Sequence, residues 1–487
     1  MSNHRPEDHP EDRPEDRPGP DGPIPPWEQM LRALLGDRAD EAVAELRSRG
    51  IDPASLDAAG ALPADPLAMQ QVLAQVQRLF ASGDDEPVNW QMAHELARQQ
   101  AAVGGDPSLT PARSKQVLDA LSVAELWLDA ATELPPATAP ARAWSRAEWV
   151  EATLPTWRTL TEPVASSLSA ALVDALGGQL DGLGEHDAGP DDTLGGLGLP
   201  ESVLPGGLAP GQLLRRLGSA VFGLQVGQAA GTLARDVFGT TDIGLPLLDT
   251  PAPALVAGNV DTFAEGLDAP VDEVRLFLAL REAAATRLFT HVPWLRAHLL
   301  GLVETYARGI TIDVEQLEQA VGSIDPTDAD ELQRALSSGV FAPQTTPEQR
   351  AALGRLETAL ALVEGWVDEV SAAAALPHLP HSVALREMLR RRRAAGGPAE
   401  QTFANLVGLE LRPRRSRDAA ALWAQIARDG GTAARDAVWD HPDLMPTAQD
   451  LDDPTGYATR RADAADEAAE VDRALAEILG EDPPTAG

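Results

Sequence analysis

The chain contains no cysteine. That excludes disulfides, thiolate zinc sites and a cysteine nucleophile, and leaves the redox compartment open. It has a single lysine, Lys115, against many arginines. Positive charge is scarce as a whole: 39 Lys and Arg stand against 75 Asp and Glu, a formal net charge of −36 at pH 7. Nucleic acid and anionic membrane surfaces both require a positive footprint, so neither is an expected partner. The sequence opens MSNHRPEDHP, without the apolar core of a secretory signal, and a cytoplasmic location is the expectation. GxxxxGKS/T, GxGxxG after a strand and GxSxG are all missing. The phosphate cradle, the dinucleotide turn and the serine elbow are excluded with them.

What is present is a long chain with a real core. Its 487 residues are 44% hydrophobic, enough for one large domain with tails or for two or three domains. Residues 1–25 read as a disordered acidic tail, because the HRPEDHPEDRPEDRPGPDGP repeat has nothing to bury and its prolines block helix and strand. Residues 26–65 read as a short helical segment and linker. From 66 to 447 the apolar residues recur at spacings of three and four, the signature of packed helices. Residues 448–487 read as an acidic C-terminal tail with one helix at AADEAAEVDRALAEIL. A glycine-rich acidic loop is expected at 183–207.

Three local patterns refine this picture. Trp127, Trp144, Trp149 and Trp157 cluster large anchors in one region, best read as core between helices. Ser145 stands three residues before Glu148, a capping-box spacing. Gly223, Gly227 and Gly231 share one helix face. In lipid that spacing brings helices together, but Gln225 and Gln228 interrupt the apolar run, so close packing of a buried helix is expected and membrane insertion is not. Residues 239–270 are the least helical part, with short strands expected at DIGLPLL and PALVAGNV.

The helix expected at 271–290 carries the functional question. In VDEVRLFLALREAAATRLF, Val274, Phe277, Leu278, Arg281, Ala285 and Leu288 fall on one face. Arg281 and Ala285 therefore point the same way, four residues apart, with Glu282 between them. This is the spacing at which two histidines grip zinc beside a general-base glutamate. Here the frame is present without the donors: arginine stays protonated and alanine has no donor atom.

Several stretches resemble a known family. They are VNW at 88–90, AELWLDAATELP at 124–135, AWSRAEWVEATLPTWR at 143–158, TDIGLPL at 241–247, ALREAAATRLFTHVPWLRAHL, LVEGWVDEV at 362–370 and GGPAEQTFANLVGLELRPRRSRDAAALW. Together they resemble the zincin-like family of actinobacterial proteins regarded as zinc-dependent metalloproteases, some of them associated with deazaflavin-cofactor biosynthesis. The resemblance covers about residues 85 to 455. It implies a mainly α fold, a zincin-like helical core with at most a small β element. In the complete members the helix reads His-Glu-x-x-His, and a later Glu-Gly-His is thought to complete the zinc site. By this resemblance Arg281 and Ala285 occupy the two histidine positions and Glu282 the general-base position, while Glu364, Gly365 and Trp366 align with Glu-Gly-His. The degenerate ligand positions are thus Arg281, Ala285, Glu364 and Trp366, Glu282 is a vestigial base, and no metal or other cofactor is expected.

A buried arginine needs a partner, and the expected one is Glu364 or Glu282, with the guanidinium replacing zinc as the cation. His291 with His298, and His378 with His381, have spacings open to a metal, but read better as ordinary surface or interface residues. Arg386, Arg390–Arg393, Arg412, Arg414, Arg415 and Arg417 are expected to pair with local carboxylates. The sequence thus favours a non-catalytic pseudo-peptidase acting by binding to an unknown protein or peptide partner. Two alternatives stand beside it: an active metallohydrolase with an altered ligand set, and an interaction scaffold using acidic tails and Trp-rich helices.

Overall fold

The computed structural model describes residues 86–183, 210–308, 346–395 and 415–479. The segments expected at 1–65, the acidic loop, Arg412 and Arg414 lie outside these. The chain divides into two compact units, one of residues 1–84 with 180–214 and one of residues 85–179 with 215–487. Of the first, only the ends of two helices are described. Everything below concerns the second.

Among the described residues there are twelve α-helices and one small sheet. The order is α1 (Trp90–Ala101), α2 (Pro111–Leu128), β1 (Arg142–Trp144), α3 (Arg146–Leu183), α4 (Pro210–Ala234), β2 (Ala254–Val256), α5 (Ala257–Ala264), α6 (Val271–His291), α7 (Pro293–Arg308), α8 (Pro347–Ala375), α9 (Ser382–Ala394), α10 (Ser416–Ala437), α11 (Ala448–Asp452) and α12 (Tyr457–Leu479). The fold is mainly α, as expected.

The helices start where side chains can satisfy their first N–H groups. Asn89 accepts from Met92 N at 3.1 Å ahead of α1. Thr346 and Gln349 cap α8 reciprocally at 3.1 and 2.9 Å, with Pro347 at the first helical position. The box read at Ser145 forms too: Glu148 N donates to Ser145 Oγ at 3.2 Å, and Ser145 N to Glu148 Oε2 at 2.7 Å.

α6 is the central element. Fourteen of its 21 residues are buried, and it packs against α2, α5, α8 and α9. Such a helix shows no strong one-sided stripe because all its sides meet protein. α8, which also carries α7 and α10, forms the second spine. Trp149, Trp157, Trp366, Trp423 and Trp439 are fully buried, so the tryptophan clustering read at 144–157 belongs to the core.

The glycine stripe of α4 is explained by α1. A Cβ added at Gly223, Gly227 or Gly231 would meet the backbone carbonyl of Asn89, Ala93 or Ala97 at 2.6 Å in each case. The glycines let the two helix backbones approach closely in the core. Among the described residues, no helix is long and apolar enough to cross a membrane.

The sheet is smaller than expected. β2 lies in the PALVAGNV stretch, but its parallel partner is β1, with Arg142, Ala143 and Trp144 opposite Ala254, Leu255 and Val256. DIGLPLL forms no strand. Gly244 takes φ +80° there and its N–H closes a turn onto Thr241 O at 2.9 Å, and Pro246 withholds a donor. Residues 448–461 fold back onto the domain: Leu451 and Asp450 are buried, and Arg460 holds Asp450 at 2.8 Å.

Candidate active site

Three helices, the turn at 236–244 and Leu255 of β2 converge on one cavity of about 60 Å³. α6 contributes Leu278, Arg281, Glu282 and Ala285, and α8 contributes Val363, Glu364 and Val367. The turn at 236–244 supplies a wall, and α9 adds Leu389, Arg392 and Arg393. The helical-wheel reading therefore holds: Arg281 and Ala285 do face one space, one turn apart.

Arg281, which lines the cavity together with Arg392 and Arg393, is held there by carboxylates. Its Nη2 donates to Glu364 Oε1, and its Nη1 stands 3.6 Å from Asp368 Oδ1. The side chains are largely buried, at 11% exposure for Arg281, 10% for Glu364 and 5% for Asp368. In a setting so poor in water, an ion pair is held firmly, and loss of either partner strands a charge. The second Glu364 oxygen lies 3.4 Å from Arg393, which also reaches Asp242 at 3.3 Å. Asp368 accepts from Arg386 at 2.8 Å and from Arg390 at 2.5 Å. Burial pushes the Asp368 carboxyl up, but the hydrogen bonds and charges of Arg386, Arg281 and Arg390 outweigh it and hold the group below the usual range.

Glu282 faces a different set of neighbours. Oε1 accepts from Thr240 N at 2.8 Å, Thr240 Oγ1 at 2.6 Å and Ala254 N at 3.4 Å. Oε2 accepts from Thr241 Oγ1 at 2.7 Å and Thr241 N at 3.3 Å. All five donors are neutral. Burial pushes the carboxyl up, and these hydrogen bonds only offset part of that rise. The loop that delivers them is fixed by Trp149, whose Nε1 donates to Gly239 O at 2.9 Å. A Cβ at Gly239 would fall on the Glu282 carboxylate, so no residue with a side chain fits this approach.

Trp366 is not part of this site. Two residues beyond Glu364, it lies about 200° further around α8. Its indole Nε1 donates to Asp436 Oδ1 at 2.9 Å, within a buried network in which Arg435 and Thr132 also hold Asp436. Of the four degenerate ligand positions, the fold gathers Arg281, Ala285 and Glu364 and leaves Trp366 on the opposite face.

The donor set at the cavity does not fit zinc. Ala285 offers no atom and Arg281 is itself a cation. The Glu364 carboxylate is bound to guanidinium, and the Glu282 oxygens are filled by five donors. Among the described residues, no group of three or more His, Asp or Glu is placed to hold a metal ion. The histidines read as candidates are dispersed. His291 meets Pro136 O at 3.3 Å, and His298 lies edge-on to Trp294. His378 stacks on Trp127, and His381 pairs with Glu273 at 3.0 Å.

The arginine clusters pair locally. Arg391 meets Glu387 at 2.9 Å, and Arg392 meets Asp236 at 2.6 Å. Arg415 meets Asp452 at 2.6 Å, and Arg417 meets Glu387 at 3.1 Å. Sequence reasoning missed Thr240, Thr241 and Asp368. The GTT turn gave a weak signal, a glycine before two hydroxyls in the least helical stretch. Asp368 was more legible, one helical turn after Glu364 and so on the same face.

Comparison with known proteins places the chain in a family. The sequence profile of the family described as zincin-like metallopeptidase matches residues 88–458. No curated protein matches. Among solved structures, the chain is similar to the crystal structure of a "putative hydrolase with a novel fold" from Chloroflexus aurantiacus. The two share 20% sequence identity at a TM-score of 0.51, over 77% of this chain and 99% of the other. At that identity the likeness speaks to the fold alone. The profile match spans well over half of the sequence, and the chain belongs to the zincin-like metallopeptidase family.

Proposed function

We propose that this chain is a non-catalytic member of its family, acting by binding an unidentified protein or peptide partner rather than by hydrolysis. Arg281 serves as the fixed cation at the centre of the disarmed site. The observation that carries this reading is the buried pair of Arg281 with Glu364, flanked by Asp368. It places a permanent positive charge on the face where a metal would need neutral imidazoles. Glu282 supports the same reading. A general base must reach a water or substrate proton, and both its oxygens are already engaged by the 240–241 turn and Ala254 N.

The test is metal content by mass spectrometry on protein purified without a His tag, with peptide hydrolysis assayed alongside. The native chain is expected to carry no stoichiometric zinc and to hydrolyse no peptide faster than its Glu282→Gln variant does. The double variant Arg281→His, Ala285→His is expected to gain about one zinc per chain, because it would set two imidazoles beside Glu364. Adding Trp366→His is expected to contribute nothing, since that side chain faces Asp436. About one zinc in the native chain, or a hydrolysis that Glu282→Gln abolishes, would favour the active enzyme with an altered ligand set.

A further inference from the structure

The last helix carries an apolar stripe that no described residue covers. Along α12, from Ala462 onward, every residue whose burial is described is exposed. Val471 is 65% exposed, Leu475 53%, Ile478 80% and Leu479 61%. These are not scattered. Ala464, Ala468, Val471, Leu475 and Ile478 alternate spacings of four and three, a heptad seam with Ala468 and Leu475 at a and Ala464, Val471 and Ile478 at d. A lone helix of this length is marginal in water, and such a seam is the face a second helix covers.

We propose that α12 pairs with α12 of a second copy of this chain, in antiparallel orientation. Charge selects the orientation. The seam is flanked by Glu467 and Ala474 at g and by Ala465 and Asp472 at e. In a parallel pair, Glu467 of each copy meets Asp472 of the other, which sets like charges together twice. In an antiparallel pair, g faces g and e faces e, so Glu467 meets Ala474 and Asp472 meets Ala465. Size agrees with charge. The antiparallel register sets Leu475 on Ala464 and Val471 on Ala468, large against small, where a parallel pair stacks alanine on alanine. The net charge of −36 opposes association of two copies, so the dimer tightens as salt screens that repulsion. Docking of a basic partner on the same stripe has the opposite salt dependence.

The absence of cysteine gives a direct experiment. Full-length Leu475→Cys and Ala464→Cys are prepared separately and mixed under mild oxidation. The mixture is expected to give a cross-linked dimer well above what either variant gives alone. Sedimentation velocity on the unmodified chain, up to about 100 µM, is expected to show more dimer in about 0.5 M NaCl than in about 0.05 M. Leu475→Asp is expected to abolish the dimer and to leave thermal melting unchanged at low salt and low concentration, where the chain is a monomer and the residue is exposed. Cross-linking of each variant with itself would mean a parallel pair and overturn the proposal. A monomer at every concentration and salt, a dimer weakened by salt, or one that survives Leu475→Asp would overturn it too.

Discussion

Asp368 and Glu282 are carboxylates buried to nearly the same degree, one turn or less from Arg281 or its partner, yet their neighbours push them in opposite directions. Asp368 is ringed by Arg281, Arg386 and Arg390 and is held low. Glu282 has only neutral donors and is pushed up by burial. The consequence for stability follows from the sign. The folded value of Asp368 lies below its unfolded one, so its contribution is complete above the ordinary carboxylate range and fades as pH falls through the folded value. Asp368→Asn leaves three guanidiniums short of a partner in a buried site. At pH 7 it is expected to lower the unfolding free energy by about 3–5 kcal/mol. Urea unfolding of both proteins at pH 7 and below about pH 4 checks this, and the difference is expected to shrink at the acid end. A difference that stays constant with pH would mean that packing, not charge, is what the substitution removes. Glu282 has the opposite sign: stability falls as pH rises through its raised value.

At the scale of elements, close backbone approach and open helix surface predict opposite outcomes for the same substitution. Gly227→Ala would force a Cβ to 2.6 Å from Ala93 O and 2.9 Å from Leu96 Cβ. Neither helix can yield without parting, so a loss of about 1–3 kcal/mol is expected. Gly354 is exposed on α8 and a Cβ there meets nothing within 4 Å. Gly354→Ala is expected to gain about 0.5–1 kcal/mol through helix propensity and a less free unfolded chain. Thermal unfolding of the two variants separates the cases, and equal effects would remove close packing as the reason for the α4 stripe. The same elements show what a sequence discloses. The 3.6-residue period placed α6, and the capping spacing at Ser145 placed the start of α3, because those signals are local. The register of Arg281 against Ala285 was legible for the same reason. The parallel partner of β2 was not, since β1 lies more than a hundred residues upstream and three residues make no periodicity. Trp366 was misplaced because alignment with a motif ignores the 100° that each residue turns on a helix.

At the scale of the whole molecule, charge sets the terms. A formal charge of −36 repels itself at all distances within the screening length. The positive charge is spent close to home: Arg281, Arg386, Arg390, Arg392 and Arg393 all meet carboxylates around the cavity. These buried and half-buried pairs respond little to salt, while the excess of acidic groups responds strongly. Exposed pairs such as Lys115 with Asp119 contribute little to begin with, so little is lost when they are screened. The balance therefore favours the folded state as ionic strength rises. Raising NaCl from about 0.02 to about 0.5 M shortens the screening length from roughly 20 Å to roughly 4 Å, and the melting temperature is expected to climb. Each kcal/mol gained moves the midpoint by about 2–4 °C for a domain of 150–250 residues, and by less in a larger one. Sodium chloride is the salt to use, because sulfate would strengthen apolar burial as well. Leu475→Asp, read at the same protein concentration, separates this intramolecular effect from dimerisation through α12. If the rise in melting temperature persists in that variant, it belongs to the folded chain itself. If it vanishes, the salt acts by joining two copies, and self-repulsion within one chain is too weak to set its stability.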